Sequence, residues 1–156
     1  MLEVHVPGYG DITIEHVVFD YNGTLAIDGR LINGVGEVMV ELSDILHFHV
    51  ITADTFGAVH AELQGLPCEV VIIPEQRQAE CKLEYASRLG LERTLCVGNG
   101  RNDRLMLKEA ALGVALLQEE GVFSETLLSA DLVCKHVLDV FSFLQEPKRL
   151  IASLRS

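Results

Sequence analysis

The sequence predicts one three-layer α/β domain over residues 1–156, built around a mostly parallel sheet of five to six strands. Three observations lead there. A chain of 156 residues has the length of one ordinary domain. Hydrophobic residues make up 49% of it, yet aromatics only 6% with no Trp, so the core is aliphatic and disorder is excluded. Short β-branched runs alternate with amphipathic stretches along the chain, the signature of βαβ units and a parallel sheet.

The elements follow in order. Leu2–Ile14, with Pro7-Gly8 in its middle, reads as a hairpin or a lead-in edge strand. His16–Phe19 is a buried-strand pattern that ends on Asp20. Residues 35–46 carry apolar side chains at 35, 38, 39, 42, 45 and 46, a helical period. His47–Thr52 is the next strand, residues 55–64 a helix, and Glu69–Ile73 a strand stopped by Pro74. A helix over 76–89 has Gly90 just past its end. Thr94–Val97 is a strand, followed by Gly98-Asn99-Gly100 and a helix over 102–110. Val114–Leu117 and Leu132–Cys134 read as strands, with helices over 123–128 and 137–144.

Composition narrows the function. Twelve basic against twenty-three acidic residues give a net charge of −11, which argues against nucleic acid or anionic lipid as partners. No apolar run approaches the roughly 20 residues that span a bilayer, and the N-terminus carries no secretion signal. A cytoplasmic protein is expected. Cys68, Cys81, Cys96 and Cys134 form no C-x-x-C pair and read as small core hydrophobes, and the six histidines, with no H-E-x-x-H spacing, read as structural or surface residues. Met39, Met106 and the Leu105–Leu107 stretch read as core.

In parallel sheets ligands bind beyond the carboxyl ends of the strands. Three of those ends carry Asp20-Tyr21-Asn22-Gly23-Thr24, Thr52-Ala53-Asp54 and Gly98-Asn99-Gly100-Arg101-Asn102-Asp103. A strand-end carboxylate beside Gly23 and Thr24 can lie next to backbone N–H groups that hold an oxyanion. Asp103 can share a hard cation with it, Mg²⁺ being content with few protein oxygens plus water and phosphate. Lys82 can place a positive charge opposite the phosphate, and Thr52 offers a hydroxyl donor. This set suits displacement at phosphorus through an aspartyl-phosphate.

The run Val17–Leu25 resembles the first motif of the haloacid dehalogenase-like superfamily, hhhD-x-D-G-T-hh. Thr52 resembles its second motif, Lys82 its third and Gly98–Asp103 its fourth, G-D-G-x-x-D. Thr52-Ala53-Asp54 and Asn102-Asp103 are most similar to the phosphorylation domain of P-type ATPases and to the small soluble phosphatases related to it. The resemblance implies a Rossmann-like fold and a Mg²⁺-dependent phosphatase. Asp20 would be nucleophile and metal ligand, and Asn22 would ligate through its carbonyl. Thr52 and Lys82 would contact the phosphoryl group, with Asn102 near it; Asp54 would match the acidic residue of T-G-D. Gly23, Thr24 and Ala53 would line the binding loops. Asn99 and Asp103 would complete the metal site.

Two departures stand out. Asn22 replaces the usual acid–base Asp and cannot shuttle a proton, which implies slow turnover or a persistent phospho-enzyme. Asn99 replaces a metal-binding Asp. A phosphate- or nucleotide-binding or regulatory partner protein that has lost catalysis is the alternative. The spacings leave no room for a cap domain, so the resemblance implies an open site. Such a site takes a phosphorylated small molecule or macromolecule, or is closed by a neighbouring subunit in a homo-oligomer. Leu25–Ile32, with Asp28-Gly29 at its tip, reads as a short hairpin flap.

Overall fold

The computed structural model describes residues 1–54 and 57–156. The chain opens with an antiparallel hairpin, β1 (Leu2–Val6) and β2 (Gly10–Ile14), which forms a sheet of its own. Next come β3 (His16–Asp20), the two-residue strands β4 (Ala26–Ile27) and β5 (Arg30–Leu31), α1 (Val35–Leu42) and β6 (His47–Thr52). Then follow α2 (Ala58–Glu62), β7 (Cys68–Ile72), α3 (Gln78–Leu89), β8 (Thr94–Gly98) and α4 (Arg104–Glu109). The chain ends with β9 (Leu112–Leu116), α5 (Ser124–Ser129), β10 (Leu132–Cys134), α6 (Val137–Gln145) and α7 (Pro147–Leu154).

Six strands form one parallel sheet in the order β10–β9–β8–β3–β6–β7. β8 and β9 are buried at every position and β3 at four of its five, because helices cover both faces. Successive side chains of β3 point to opposite faces. Val17 and Phe19 join a core with residues of α1, α6, α7 and the hairpin, in which Phe19 and Phe141 stack with ring centroids 5.2 Å apart. Val18 joins the second core, with Ala86 of α3 and Met106 and Leu107 of α4. The Rossmann-like three-layer arrangement is therefore as expected.

From β3 the chain moves outward through β6 and β7, then α3 carries it back across the sheet to β8 on the other side. The carboxyl ends of β3 and β8 thus flank the topological switch point, where a crevice opens between oppositely running crossovers.

Several boundaries differ from expectation. α1 stops at Leu42, where the N–H groups of Ser43 and Ile45 donate to carbonyls three residues back, those of Val40 (3.4 Å) and Leu42 (3.1 Å), and the Ser43 hydroxyl also donates to the Val40 carbonyl at 2.8 Å. The helix expected from residue 55 is described from Ala58; Thr55 lies outside the described residues. α3 begins at Gln78, since Arg77 adopts a left-handed φ of 55°. The helix expected from residue 102 opens as a 3₁₀ turn over Arg101–Asp103. α7 is an addition, started by Pro147 in the first turn, where a missing N–H costs nothing. Met39, Met106 and Leu107 are buried, and the four cysteines are free. His49 is buried between Tyr85 (Nδ1 to OH, 2.8 Å) and His16 (Nε2 to Nδ1, 3.0 Å), a structural role. Among the described residues no helix is long and apolar enough to cross a membrane.

Candidate active site

The loop after β3 folds on the Tyr21 carbonyl, which accepts the N–H groups of Thr24, Leu25 and Ala26 at 3.0–3.2 Å. Gly23 donates to the Ala26 carbonyl at 2.8 Å and has a φ of +78°. A Cβ there would lie 2.4 Å from Asn99 Nδ2, so both conformation and space demand glycine. β4 and β5 then make the flap, turned by Asp28 and Gly29 at φ 52° and 76°, the left-handed pair of a tight hairpin. Tyr21 pins it by donating its hydroxyl to the Gly29 carbonyl at 3.0 Å.

At the end of β6, the Thr52 hydroxyl accepts the Asp54 N–H at 3.2 Å. At the end of β8, Asp103 folds back so that its Oδ2 accepts the N–H groups of Asn99 (2.9 Å) and Gly100 (2.8 Å). Gly98 permits this: a Cβ there would meet Asp103 Cγ and Oδ2 at 2.4 Å. Asn99 donates to the Gly121 carbonyl at 3.0 Å, and Thr126 caps the Gly100 carbonyl at 2.8 Å.

Lys82 joins the two loops. It reaches from α3 with no exposed surface, placing Nζ 2.6 Å from Asp20 Oδ1 and 2.7 Å from Asp103 Oδ1. Arg77 is on the cavity rim and Lys108 on α4, and of these three cations Lys82 alone makes this bridge. Burial, and then the negative charge of Asp103, push the Asp20 carboxyl up to about 7, against the opposing pull of Lys82 and the Tyr21 N–H. Burial disfavours the Lys82 ammonium, but Asp103 and Asp20 outweigh it and hold its pKa above the ordinary lysine range. With all three ionised, the cluster keeps one net negative charge in a nearly dry place.

Above it lies a cavity of about 1010 Å³. Asp20, Asn22, Thr52, Ala53, Asp54, Asn99 and Asn102 line it, brought from three strand ends. Gly23, Thr24, Lys82 and Asp103 are buried behind that wall. The Thr24 hydroxyl donates to Asn99 Oδ1 at 3.4 Å, and Asn102 donates to Gln78 Oε1 at 2.7 Å rather than standing free. Glu75, Arg77, Gln78, Ala79, Glu80 and the rim arginines Arg101 and Arg104 also line the cavity; of these, Arg101 alone falls inside a motif, at one of its variable positions, and the others had no motif to mark them. Gln118 escaped the sequence reading too: two residues past β9, buried, it donates to the carbonyls of Gly23 and Thr24 at 3.0 Å each. Searching the end of β9 as the other strand ends were searched would have found it.

The donor set suits a hard divalent cation. The Asn22 main-chain carbonyl has no protein partner among the described residues, and Asn99 Oδ1 accepts only the long bond from Thr24. With the Asp20 carboxylate they make a sparse oxygen set of the kind Mg²⁺ completes with water and phosphate. Asp103 already accepts three donors, so it would act on such a cation through water. Among the described residues no group of three or more His, Cys, Asp or Glu side chains could hold a metal ion, so the amide oxygens are needed.

No protein-family model matches the chain. An uncharacterized protein of Methanocaldococcus jannaschii, MJ0073, is 41% identical over 64 residues, which are 41% of this chain and 69% of that protein. Among solved structures, a 3-deoxy-D-manno-octulosonate 8-phosphate phosphatase from Moraxella catarrhalis, in complex with magnesium, phosphate and KDO, matches with a TM-score of 0.62 and 17% identity. That match covers 91% of this chain and 87% of the other. A phosphoserine phosphatase in apo form matches with a TM-score of 0.64 and 16% identity over 86% of this chain and 99% of its own. The chain thus has the haloacid dehalogenase-like fold and belongs to the same family as MJ0073.

Proposed function

We propose that this chain is a Mg²⁺-dependent phosphohydrolase that works through an aspartyl-phosphate on Asp20. The observation that carries the reading is Lys82 buried between Asp20 and Asp103, behind the wall of the switch-point cavity that Asp20 lines. A buried charge cluster of this kind is costly unless it serves something, and perturbed carboxylates in clefts mark functional sites. The fold neighbours named as phosphatases support it.

In this reading an Asp20 carboxylate oxygen attacks phosphorus, and the bond from phosphorus to the leaving oxygen breaks. Lys82 stays protonated and holds Asp20 in line. The Thr52 hydroxyl donates to the transferring group, as does Asn102 once Gln78 releases it. Water then attacks the same phosphorus, the bond to Asp20 breaks and inorganic phosphate leaves. Asp20, the Asn22 carbonyl and Asn99 would hold Mg²⁺, whose charge would offset that of the phosphoryl oxygens.

Asn22 occupies the place from which a carboxylic acid would protonate the leaving group, and an amide cannot. That task falls to the substrate's own groups, to solvent or to Asp54 on the cavity wall. Slow turnover and a lasting phospho-enzyme follow, as in the phosphorylation domain of P-type ATPases, which Thr52-Ala53-Asp54 resembles. The open cavity suits a phosphorylated small molecule or macromolecule, or closure by a second copy of the chain, in a cytoplasmic setting.

The test is p-nitrophenyl phosphate turnover with and without Mg²⁺, in the wild type and in Asp20→Asn, together with trapping of the acyl-phosphate state by beryllium fluoride. Turnover that needs both Mg²⁺ and Asp20 is expected. Absence of both turnover and trapping would transfer the chain to the non-catalytic, phosphate-binding class.

A further inference from the structure

We propose that Gln118 is a positioning residue for the Asp20 loop, an inference that rests on reading that loop as catalytic. The side-chain amide spends both its hydrogens on one stretch of backbone, donating to the carbonyls of Gly23 and Thr24 at 3.0 Å each. Its Oε1 accepts the N–H of Val137 at 2.8 Å, one of the donors that the first turn of α6 cannot satisfy internally. One planar group thus ties the loop after β3 to the end of β9 and the start of α6. The three bonds lie in the protein interior, where each would otherwise leave a polar group without water.

The arrangement sorts the carbonyls of the loop. Those of Tyr21 and Ala26 are consumed by the loop's own turns, and those of Gly23 and Thr24 are drawn inward by Gln118. The Asn22 carbonyl is the one left without a protein partner among the described residues, in a residue that lines the cavity. Gln118 therefore determines which carbonyl the loop offers to a cation and keeps it in register with Asp20. Other side chains fall short on inventory alone. Glu keeps the acceptor but has no donors, Met matches the shape but has neither, and Asn is one methylene too short.

The experiment compares wild type, Gln118→Met and Gln118→Glu by amide hydrogen exchange over residues 21–26 and by steady-state hydrolysis of p-nitrophenyl phosphate across a Mg²⁺ titration. Gln118→Glu retains the bond to Val137, so it remains informative if Gln118→Met fails to fold. Exchange at Thr24, Leu25 and Ala26 should quicken at least tenfold while β8 stays protected. Turnover at saturating ester should fall by roughly 10- to 100-fold, the range an ångström of misplacement costs. KM should move only a few-fold, and half-saturation should need more Mg²⁺. Unchanged loop exchange would overturn the proposal, and so would quickened exchange with unaltered kcat and Mg²⁺ dependence, which is what a purely structural tie would produce. A wild type without Asp20-dependent turnover would refute the phosphohydrolase reading instead, and the exchange measurement would still decide whether Gln118 holds the loop.

Discussion

Replacing Lys82 by Met exchanges the ammonium for a thioether of similar length, so the volume beneath the cavity is nearly conserved and the packing cost is small, under about 1.5 kcal/mol. What is lost is charge. Lys82 lies 2.6 Å from Asp20 and 2.7 Å from Asp103, and neither Lys82 nor Asp103 has exposed surface. Removing one member of such a buried set strands the others and costs about 3–5 kcal/mol, a large part of the roughly 5–15 kcal/mol that holds a domain together. The sign with pH follows from Asp20. Its folded pKa, about 7, stands above the model-peptide value of 3.8, so its contribution is most favourable at low pH and is lost as pH rises through 7. Without Lys82 the pull toward the charged form disappears, and the penalty at high pH grows. Urea unfolding in metal-free buffer at pH 5 and pH 8 should therefore show Lys82→Met destabilised at both, and more at pH 8. Adding Asp103→Asn should recover part of the loss through coupling between contacting groups. A variant within about 1 kcal/mol of wild type at pH 8, or a loss equal at both pH values, would refute the argument.

Three more expectations can be checked separately. Asn22→Asp restores a proton carrier at the cavity lip, and should speed p-nitrophenyl phosphate hydrolysis on the order of 10²-fold; an unchanged or lower rate counts against the assignment. Gly98→Ala drives a Cβ to 2.4 Å from the Asp103 carboxylate. It should abolish Asp20-dependent turnover and lower stability by about 1–3 kcal/mol, read by thermal unfolding, where overpacking of this size falls. Burial, then the neighbouring His16 and His47, lower the His49 pKa from 6.5 to about 4. The unfolded chain therefore takes up a proton between pH 6.5 and 4 that the folded one refuses. Across that window His49→Gln should gain on the wild type by about 3 kcal/mol at most, measured by urea unfolding. A difference curve that stays flat would exclude this.

The strands were legible because they are local. Runs such as His47–Thr52 and Leu132–Cys134 carry their burial in their own composition, and their boundaries agree with the sequence reading residue for residue. The loops after β3, β6 and β8 were legible for a related reason: polar and glycine residues crowded at strand ends have few explanations other than a site. Helix ends were less so. Nothing in the composition of Arg77 signals a left-handed residue that delays α3, and α1 ends at Leu42, a turn before its apolar period runs out.

What the sequence alone determined is the chemistry available, namely an Asp nucleophile candidate with glycine and hydroxyl neighbours, an amide where an acid is expected, and the α/β frame that delivers them. The tertiary structure decided the partnerships. That Lys82 is buried against both carboxylates, that Thr24 and Gly23 support the wall instead of lining it, and that Gln118 holds the loop from 94 residues away are facts of strand order. The reason is physical: periodicity reports how a residue relates to its nearest neighbours in the chain, whereas a bond across the switch point exists only once β8, β3 and β9 have closed into one sheet.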